Sequence, residues 1–299
     1  MSPGTDDAPP PASPRDPQRG PLSGADTPWP ASVLYHEQSK LSPARSLAYA
    51  QSLARYRPPA EGGVSLRLRA MGKRYPTRPQ WPLPPTPRFP RWGRSGLGSG
   101  LGTRLIDALR RRRSQTTGWT PGVLRLTELG PLLGEGFGLG PLAGRRDHGL
   151  DERVALRPWP SAGALYPLEL YVIAQRITGL PAGPHHYEVQ PHALAQLEDA
   201  PAGDGRRHWL VEPAALEAAA CALVITARFA ATQEKYGERG YRFALLEAGH
   251  AAQNLLLLAA AMGLRALPAG GFHEDGLARS LGLDPREESP VHAVLLNGG

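Results

Sequence analysis

Lys235 and Tyr236 stand side by side in the polar run EKYGERGYR, a few residues ahead of the almost wholly apolar GHAAQNLLLLAAAMGLRALPAGGF. A lysine can serve as a base where burial or neighbouring charge lowers its pKa, and a tyrosine beside it can orient a ring or relay a proton. The same two residues suit a solvated segment leading a helix, with the tyrosine as an amphipathic anchor. Residue types alone leave both readings open. A second concentration of chemistry is cationic. Between Arg88 and Arg113 eight arginines face one acid, Asp107, so this stretch carries the whole +7 of the chain. Guanidinium forks match phosphate oxygens, and a cluster this local suits one small phosphorylated ligand ahead of a nucleic acid. Within it, Arg112 and Ser114 of RRRS can also be read as a solvated helix end, because cations are favoured there by the helix dipole. Cys221 is the sole cysteine, which rules out an intrachain disulfide and a multi-thiolate metal site; no metal is expected. Its neighbours, AAACALVIT, make it a buried strand thiol rather than a nucleophile. Glu247 and His250 fall one helical turn apart, and a buried, hydrogen-bonded histidine is expected there rather than a catalytic one.

These residues need a frame to hold them. A chain of 299 residues, 41% hydrophobic and 20% charged, can bury a sizeable core in one large domain or two modest ones. Nineteen of its 33 prolines fall in the first 90 residues, too many for long regular structure. Residues 1–30 read as a disordered proline-rich tail, and 31–99 as an extension with one helix after Ser42–Pro43, its apolar face Leu47, Ala50, Leu53 and Ala54. The extension ends in a proline-rich strap from Arg74 to Gly93 that can lie along the main domain or serve as a plain linker. Residues 100–299 form the main domain. TRLIDALRRRRS reads as a helix by the face of Leu105, Ala108 and Leu109, and LRLTELGPLLGEGFG as a second with Thr127 as N-cap. LELYVIAQRI, CALVITARF and PVHAVLLNGG read as strands, and GPHHYEVQPHALAQLE as a hairpin. A long helix follows, with Tyr241, Leu245, Ala248, Ala252, Leu255, Ala259 and Met262 in one stripe. It is apolar nearly all round, as suits a domain centre or a subunit interface. Helices before, between and after mixed strands, without a βαβ repeat, point to an α+β fold. No apolar run of bilayer length is read in the chain, and the N-terminus lacks the charge pattern of a secretory signal. A cytoplasmic protein with no membrane partner is expected.

The run RPWPSAGALYPLELYVIAQRITGLPAGPHHYEVQPHALAQL resembles the signature block of the SagB-type dehydrogenases, a branch of the FMN-dependent nitroreductase superfamily. EKYGERGYRFALLEAGHAAQNLLLLAAAMGLRALPAGGF resembles the second block of that branch, and LYHEQSKL its N-terminal extension. The resemblance implies a nitroreductase-like FMN-binding fold, mainly antiparallel with flanking helices and a long buried central helix. It also implies a homodimer with the cofactor in the interface. Arg112 and Ser114 match the Arg-x-Ser pattern that binds the FMN phosphate. Pro160, Ser161 and Ala162 match the loop that reaches the flavin from the partner subunit. Pro268, Ala269, Gly270 and Gly271 match the loop over the isoalloxazine, whose backbone N–H groups can serve N5. Lys235 and Tyr236 match the pair that azoline-oxidising members place beside the substrate face.

Departures accompany the matches. Ala164 and Tyr166 stand where simpler nitroreductases tend to have Asn and Gln, Thr116 where the superfamily often has a further basic residue, and the chain ends in LLNGG without the usual C-terminal basic residues. The implied function is FMN-dependent oxidation of thiazoline or oxazoline rings to thiazoles or oxazoles in an azoline-containing precursor peptide made on the ribosome, with a cyclodehydratase as partner. An NAD(P)H-dependent nitro- or quinone-reductase and a flavin-free scaffold of a peptide-modifying complex are the alternatives.

Overall fold

The computed structural model describes residues 35–36, 39, 50–51, 72–85, 105–140, 142–144, 153–197 and 213–298. The readings made for residues 1–30, for Leu47, Leu53 and Ala54, and for Arg88, Arg91, Arg94 and Arg104 lie outside them. The chain divides into units 1–42 and 43–299. In the first, the Ser39 hydroxyl donates to the Tyr35 carbonyl at 2.6 Å.

In the second, β1 (Gln80–Pro82), β5 (Leu168–Ala174), β7 (Gly183–Glu188), β8 (Ala193–Gln196), β9 (Cys221–Ala227), β10 (Arg265–Ala269) and β11 (Ser289–Asn297) make one sheet. Its order is β1-β8-β7-β5-β9-β11-β10, and every neighbouring pair is antiparallel. The central strands β5 and β9 are buried along their whole length, which explains their almost unbroken apolar sequence. Alternation still sorts their side chains. Leu168, Leu170 and Val172 join the core on one face, while Tyr171 and Ile173 join the core on the other. Small pairs β2 (Leu124–Arg125) with β6 (Ile177–Thr178), parallel, and β3 (Leu142–Gly144) with β4 (Arg153–Ala155), antiparallel, stand apart.

Helices α1 (Leu105–Arg111) and α2 (Leu126–Phe137) pack on α5 (Arg239–Ala261), which lies against the first face of the sheet. α3 (Pro213–Ala218) and α6 (Glu274–Ser280) bring Leu216, Leu277 and Ala278 to the second face. The long helix α5 is core along the side formed by Ala244, Ala248, Ala251, Ala252, Leu255 and Ala259. That stripe is rotated from the expected one: Ala244 and Ala251 are fully buried while Leu245 is exposed. Alanines let the helix approach its neighbours closely, with Leu255 and Leu256 buried among them, while Leu245 and Leu246 are left outside. By length and composition alone α5 could cross a bilayer; here one side of it is domain core.

Three other local expectations change. Helix α2 is capped by Arg125, not Thr127, and the Glu128 carboxylate accepts from the Arg125 N–H at 2.9 Å. RALPA, read as part of a loop leaving the long helix, is the edge strand β10; its proline is tolerated because only one side of an edge strand is paired. Part of the proline-rich strap is likewise an edge strand, β1, with Trp81 opposite Leu194. Cys221 is fully buried, and burial pushes its thiol up to about 12, as suits an inert core group.

Candidate functional site

Lys235 and Tyr236 close a separate short helix, α4 (Ala230–Tyr236), instead of opening α5. The break is Gly237, whose φ of 56° and ψ of −146° are open to glycine and costly for other residues. The turn places the pair at a corner. Thr232 secures the corner by donating to Phe229 O at 3.0 Å and sharing its hydroxyl with Gly240 O at 3.1 Å. The Tyr236 ring meets Phe243 edge-on at 5.1 Å, and the Lys235 ammonium lies 5.2 Å from the Tyr236 ring centre.

Both polar tips converge on the loop formed by Pro160, Ser161 and Ala162 and the residues after them. Gly163 has φ 63°, and a Cβ added there would lie 2.6 Å from the Tyr236 hydroxyl and 2.8 Å from Lys235 Nζ. The loop goes on through Ala164 and Tyr166 at φ 54° and 45°, so three of four residues occupy left-handed space. Such a loop needs external restraint. Ser161 provides it by accepting from Tyr166 N–H at 2.9 Å and donating from the same hydroxyl to Glu247 Oε2 at 2.8 Å. Trp159 Nε1–H donates to Glu247 Oε1 at 2.8 Å. Glu247, on α5, is 2% exposed. Burial pushes its carboxyl up to about 7, with the hydrogen bonds from Trp159 and Ser161 and the charge of Arg157 pulling the other way. The expectation for this turn of α5 is therefore reversed: Glu247 is the buried, bonded group and His250 is exposed.

Beneath the loop, Arg157 is buried with its Cζ 5.5 Å from both the Phe137 and Trp159 rings, and it donates to Phe137 O at 2.9 Å. Burial lowers its pKa against the opposing charges of Glu169 and Glu247. Glu169, one residue into β5, ties this region to α4 and to the strap. It bonds His186 Nε2 at 3.1 Å, pairs with Arg228 Nη2 at 3.4 Å and accepts from Lys73 N–H at 3.0 Å. Burial pushes its pKa up, but these partners together hold it below the usual value.

The phosphate-type residues lie elsewhere. Arg112 Nη1 donates to Ser114 Oγ at 3.3 Å, and both follow the end of α1. Beside them is a cavity of about 220 Å³ lined by Arg111, Arg113 and Gln115 from that end, Leu256, Ala260 and Gly263 from the end of α5, and Leu264 and Ala266. Gln115 N–H donates to Ala266 O at 3.3 Å, joining this segment to β10. Two guanidiniums stand over an apolar floor, and their forks match phosphate oxygens, so the residues present fit the phosphate end of FMN. Arg111 and Arg113 line the cavity, while Arg112 meets Ser114. β10 runs from the cavity at Ala266 to Pro268 and Ala269, opposite Val294 and Ala293, and then to exposed Gly270 and Gly271. A Cβ added at Gly270 would meet nothing within 4 Å, so this stretch of backbone is open to an approaching group.

The sequence-predicted residues thus fall into two groups. Arg112, Ser114 and Pro268 to Gly271 lie along one edge; Pro160 to Ala162 lead into Gly163, which meets Lys235 and Tyr236. Leu256, the first cavity residue on α5, is nine residues beyond Glu247, about 14 Å of helical rise. Glu247, Trp159, Gly163 and Arg111 were not assigned to the site from sequence. An acid set within an apolar helix was the available signal for Glu247. Among the described residues no group of histidines, cysteines and acids could hold a metal ion.

The Nitroreductase family matches residues 149–298 of the chain. MJ1384 of Methanocaldococcus jannaschii, named as a nitroreductase, is 31% identical over 178 residues, 60% of this chain and 84% of that protein. The microcin B17-processing protein McbC of Escherichia coli is 31% identical over 148 residues, 45% of this chain and 52% of McbC. The chain therefore spans about half of McbC. A crystal structure from Anabaena variabilis, described as a nitroreductase, shares the fold with a TM-score of 0.61 at 24% identity, over 89% of this chain and 45% of that one.

Proposed function

The chain belongs to the nitroreductase family, and from that premise we propose that it is a cytoplasmic FMN-dependent dehydrogenase that oxidises thiazoline or oxazoline rings in a ribosomally made peptide. The observation that carries this reading is the convergence of Lys235 Nζ and Tyr236 Oη on Gly163. The likeness to McbC, named for processing microcin B17, supports a peptide substrate; a cyclodehydratase partner is part of the same proposal.

In this reading an azoline ring lies against the Gly163 loop. The Lys235 amine, once it has given up its own proton, takes the proton from one ring carbon, a hydride leaves the neighbouring carbon, and a ring double bond forms between them. Tyr236 orients the ring and can pass the proton onward. FMN, when bound, supplies the two-electron acceptor for the hydride. Arg111 and Arg113 would hold its phosphate with Arg112 and Ser114, and Pro268 to Gly271 would lie over its ring system. Incubating an azoline peptide with the flavin-loaded protein should give a mass loss of two hydrogens per ring. No loss, with nicotinamide-fed reduction of a quinone or nitroarene instead, would replace this reading with the reductase one.

Arg112→Ala is expected to weaken FMN binding, since a charge-assisted phosphate contact contributes about 1.5 to 3 kcal/mol, with the lower end for a group open to water. Titrating FMN into apoprotein by flavin fluorescence measures it. If Arg111→Ala or Arg113→Ala weakens binding and Arg112→Ala does not, the cavity-lining arginines alone hold the phosphate.

A homodimer belongs to the same reading, since one subunit's Ser161 loop would meet the other's cavity. Leu105, Ile106 and Leu109 on α1 are at least half exposed, and Leu246 on α5, against which α1 packs, is 62% exposed. Replacing Leu105 and Leu109 together by Asp should shift sedimentation velocity from dimer to monomer and lower FMN content with it. A monomeric parent, or a variant still dimeric with full flavin, would sink the arrangement.

A further inference from the structure

Glu247 reaches the reacting groups only through other residues. Its two oxygens are taken by Trp159 Nε1–H and Ser161 Oγ–H, each at 2.8 Å. Ser161 passes the restraint on by accepting Tyr166 N–H at 2.9 Å, which closes a ring around Ala162, Gly163, Ala164 and Leu165. Gly163 is the point of that ring facing the Lys235 and Tyr236 tips. The Ser161 and Glu247 bonds add to the turn's own backbone bonds, Ala164 N–H to Ser161 O at 3.0 Å and Leu165 N–H to Ala162 O at 3.3 Å, in holding two non-glycine residues in left-handed space, and they tie the turn to α5.

Resting on the proposed reading of this site, we propose that Glu247 is its positioning residue: through Ser161 it holds the turn that places Gly163 against Lys235 and Tyr236. The donor pattern explains why a carboxylate is used. An indole N–H can only donate, and the Ser161 hydroxyl points its proton at Glu247 so that its lone pairs remain for Tyr166 N–H. A group accepting twice, on two separate oxygens, satisfies both; a glutamine has one such oxygen. Placing that group on α5, the most extensively packed helix, fixes the loop relative to the domain core.

The test reads Lys235 directly and needs neither substrate nor flavin chemistry. The chain has three lysines, Lys40, Lys73 and Lys235, so peptide mapping after brief acylation with a water-soluble acetylating reagent is unambiguous. Lys73 bonds Glu288 at 2.9 Å and the Tyr171 hydroxyl at 3.1 Å, away from α5, and serves as the internal reference. Ser161→Ala and Glu247→Gln are each expected to raise the Lys235 to Lys73 labelling ratio about fivefold, the equilibrium worth of one lost hydrogen bond. The double variant should rise no further, because both act through one connection. Ser161→Ala removes only a hydroxyl, so it keeps the test usable if Glu247→Gln does not fold. An unchanged ratio in the singles, or a double variant equal to their product, overturns the positioning role whether or not the protein makes azoles. A raised, non-additive ratio in a protein that makes none upholds it and fails only the substrate reading.

Discussion

Lys235→Ala is expected to keep FMN and assembly while azole formation falls by about 100-fold or more, the typical contribution of a positioned general base. The geometry argues for a local effect. Lys235 sits in the last turn of α4, half-buried, with its charged tip against the loop and not in the core. The fold loses only a cation near a helix C-terminus, worth about 0.3 to 1 kcal/mol. Tyr236→Phe sharpens the result, because it keeps the ring that packs against Phe243 and removes only the hydroxyl at Gly163. A proton relay loses rate in that variant; a packing anchor does not. Azole formation measured by mass spectrometry at matched flavin content distinguishes them. Parental rates in both variants would mean that the pair is not catalytic.

The sheet was legible because its central segments, LELYVIA and CALVITA, are apolar and rich in β-branched and aromatic residues, and both are strands in the fold. Strand β10 was not, because RALPA is short, holds a proline and leads into glycines, all of which read locally as loop. The long helix was legible in extent but not in rotation. Leu245 and Ala244 are neighbours in sequence, and only the packing decides which of them meets the core. At the site, the residues of each block were visible, but their pairing was not. Gly163 and Tyr236 are brought together by strands β5 and β9, paired antiparallel with Leu168 opposite Ala227, so each strand delivers its flanking segment to the same end of the sheet. Spacing along one sequence carries no trace of that pairing. The same holds for Glu247, which looked like the partner of His250 one turn away and instead faces Trp159 and Ser161 across the fold.

Gly163→Ala should lose activity nearly as severely as the base deletion, for a different reason. An alanine at φ 63° costs about 1 to 2 kcal/mol in backbone strain, the expense of left-handed space for an L-residue. Ala164 already bears such strain next door, so the fold should survive. The added methyl group is the larger problem for function, since at 2.6 and 2.8 Å it overlaps the Tyr236 hydroxyl and Lys235 Nζ. Both are ends of flexible side chains, so they yield before the backbone does, and they yield away from the reacting ring. A displacement of about 1 Å at a reacting centre can cost about 100-fold in rate. Gly282→Ala separates the two effects, because Gly282 has φ 69° with nothing within 4 Å of an added Cβ. Both variants should show a similar drop in thermal stability; only Gly163→Ala should lose azole formation. Equal activity in the two variants would show that the Gly163 surface is not where the substrate ring and the Lys235–Tyr236 pair meet.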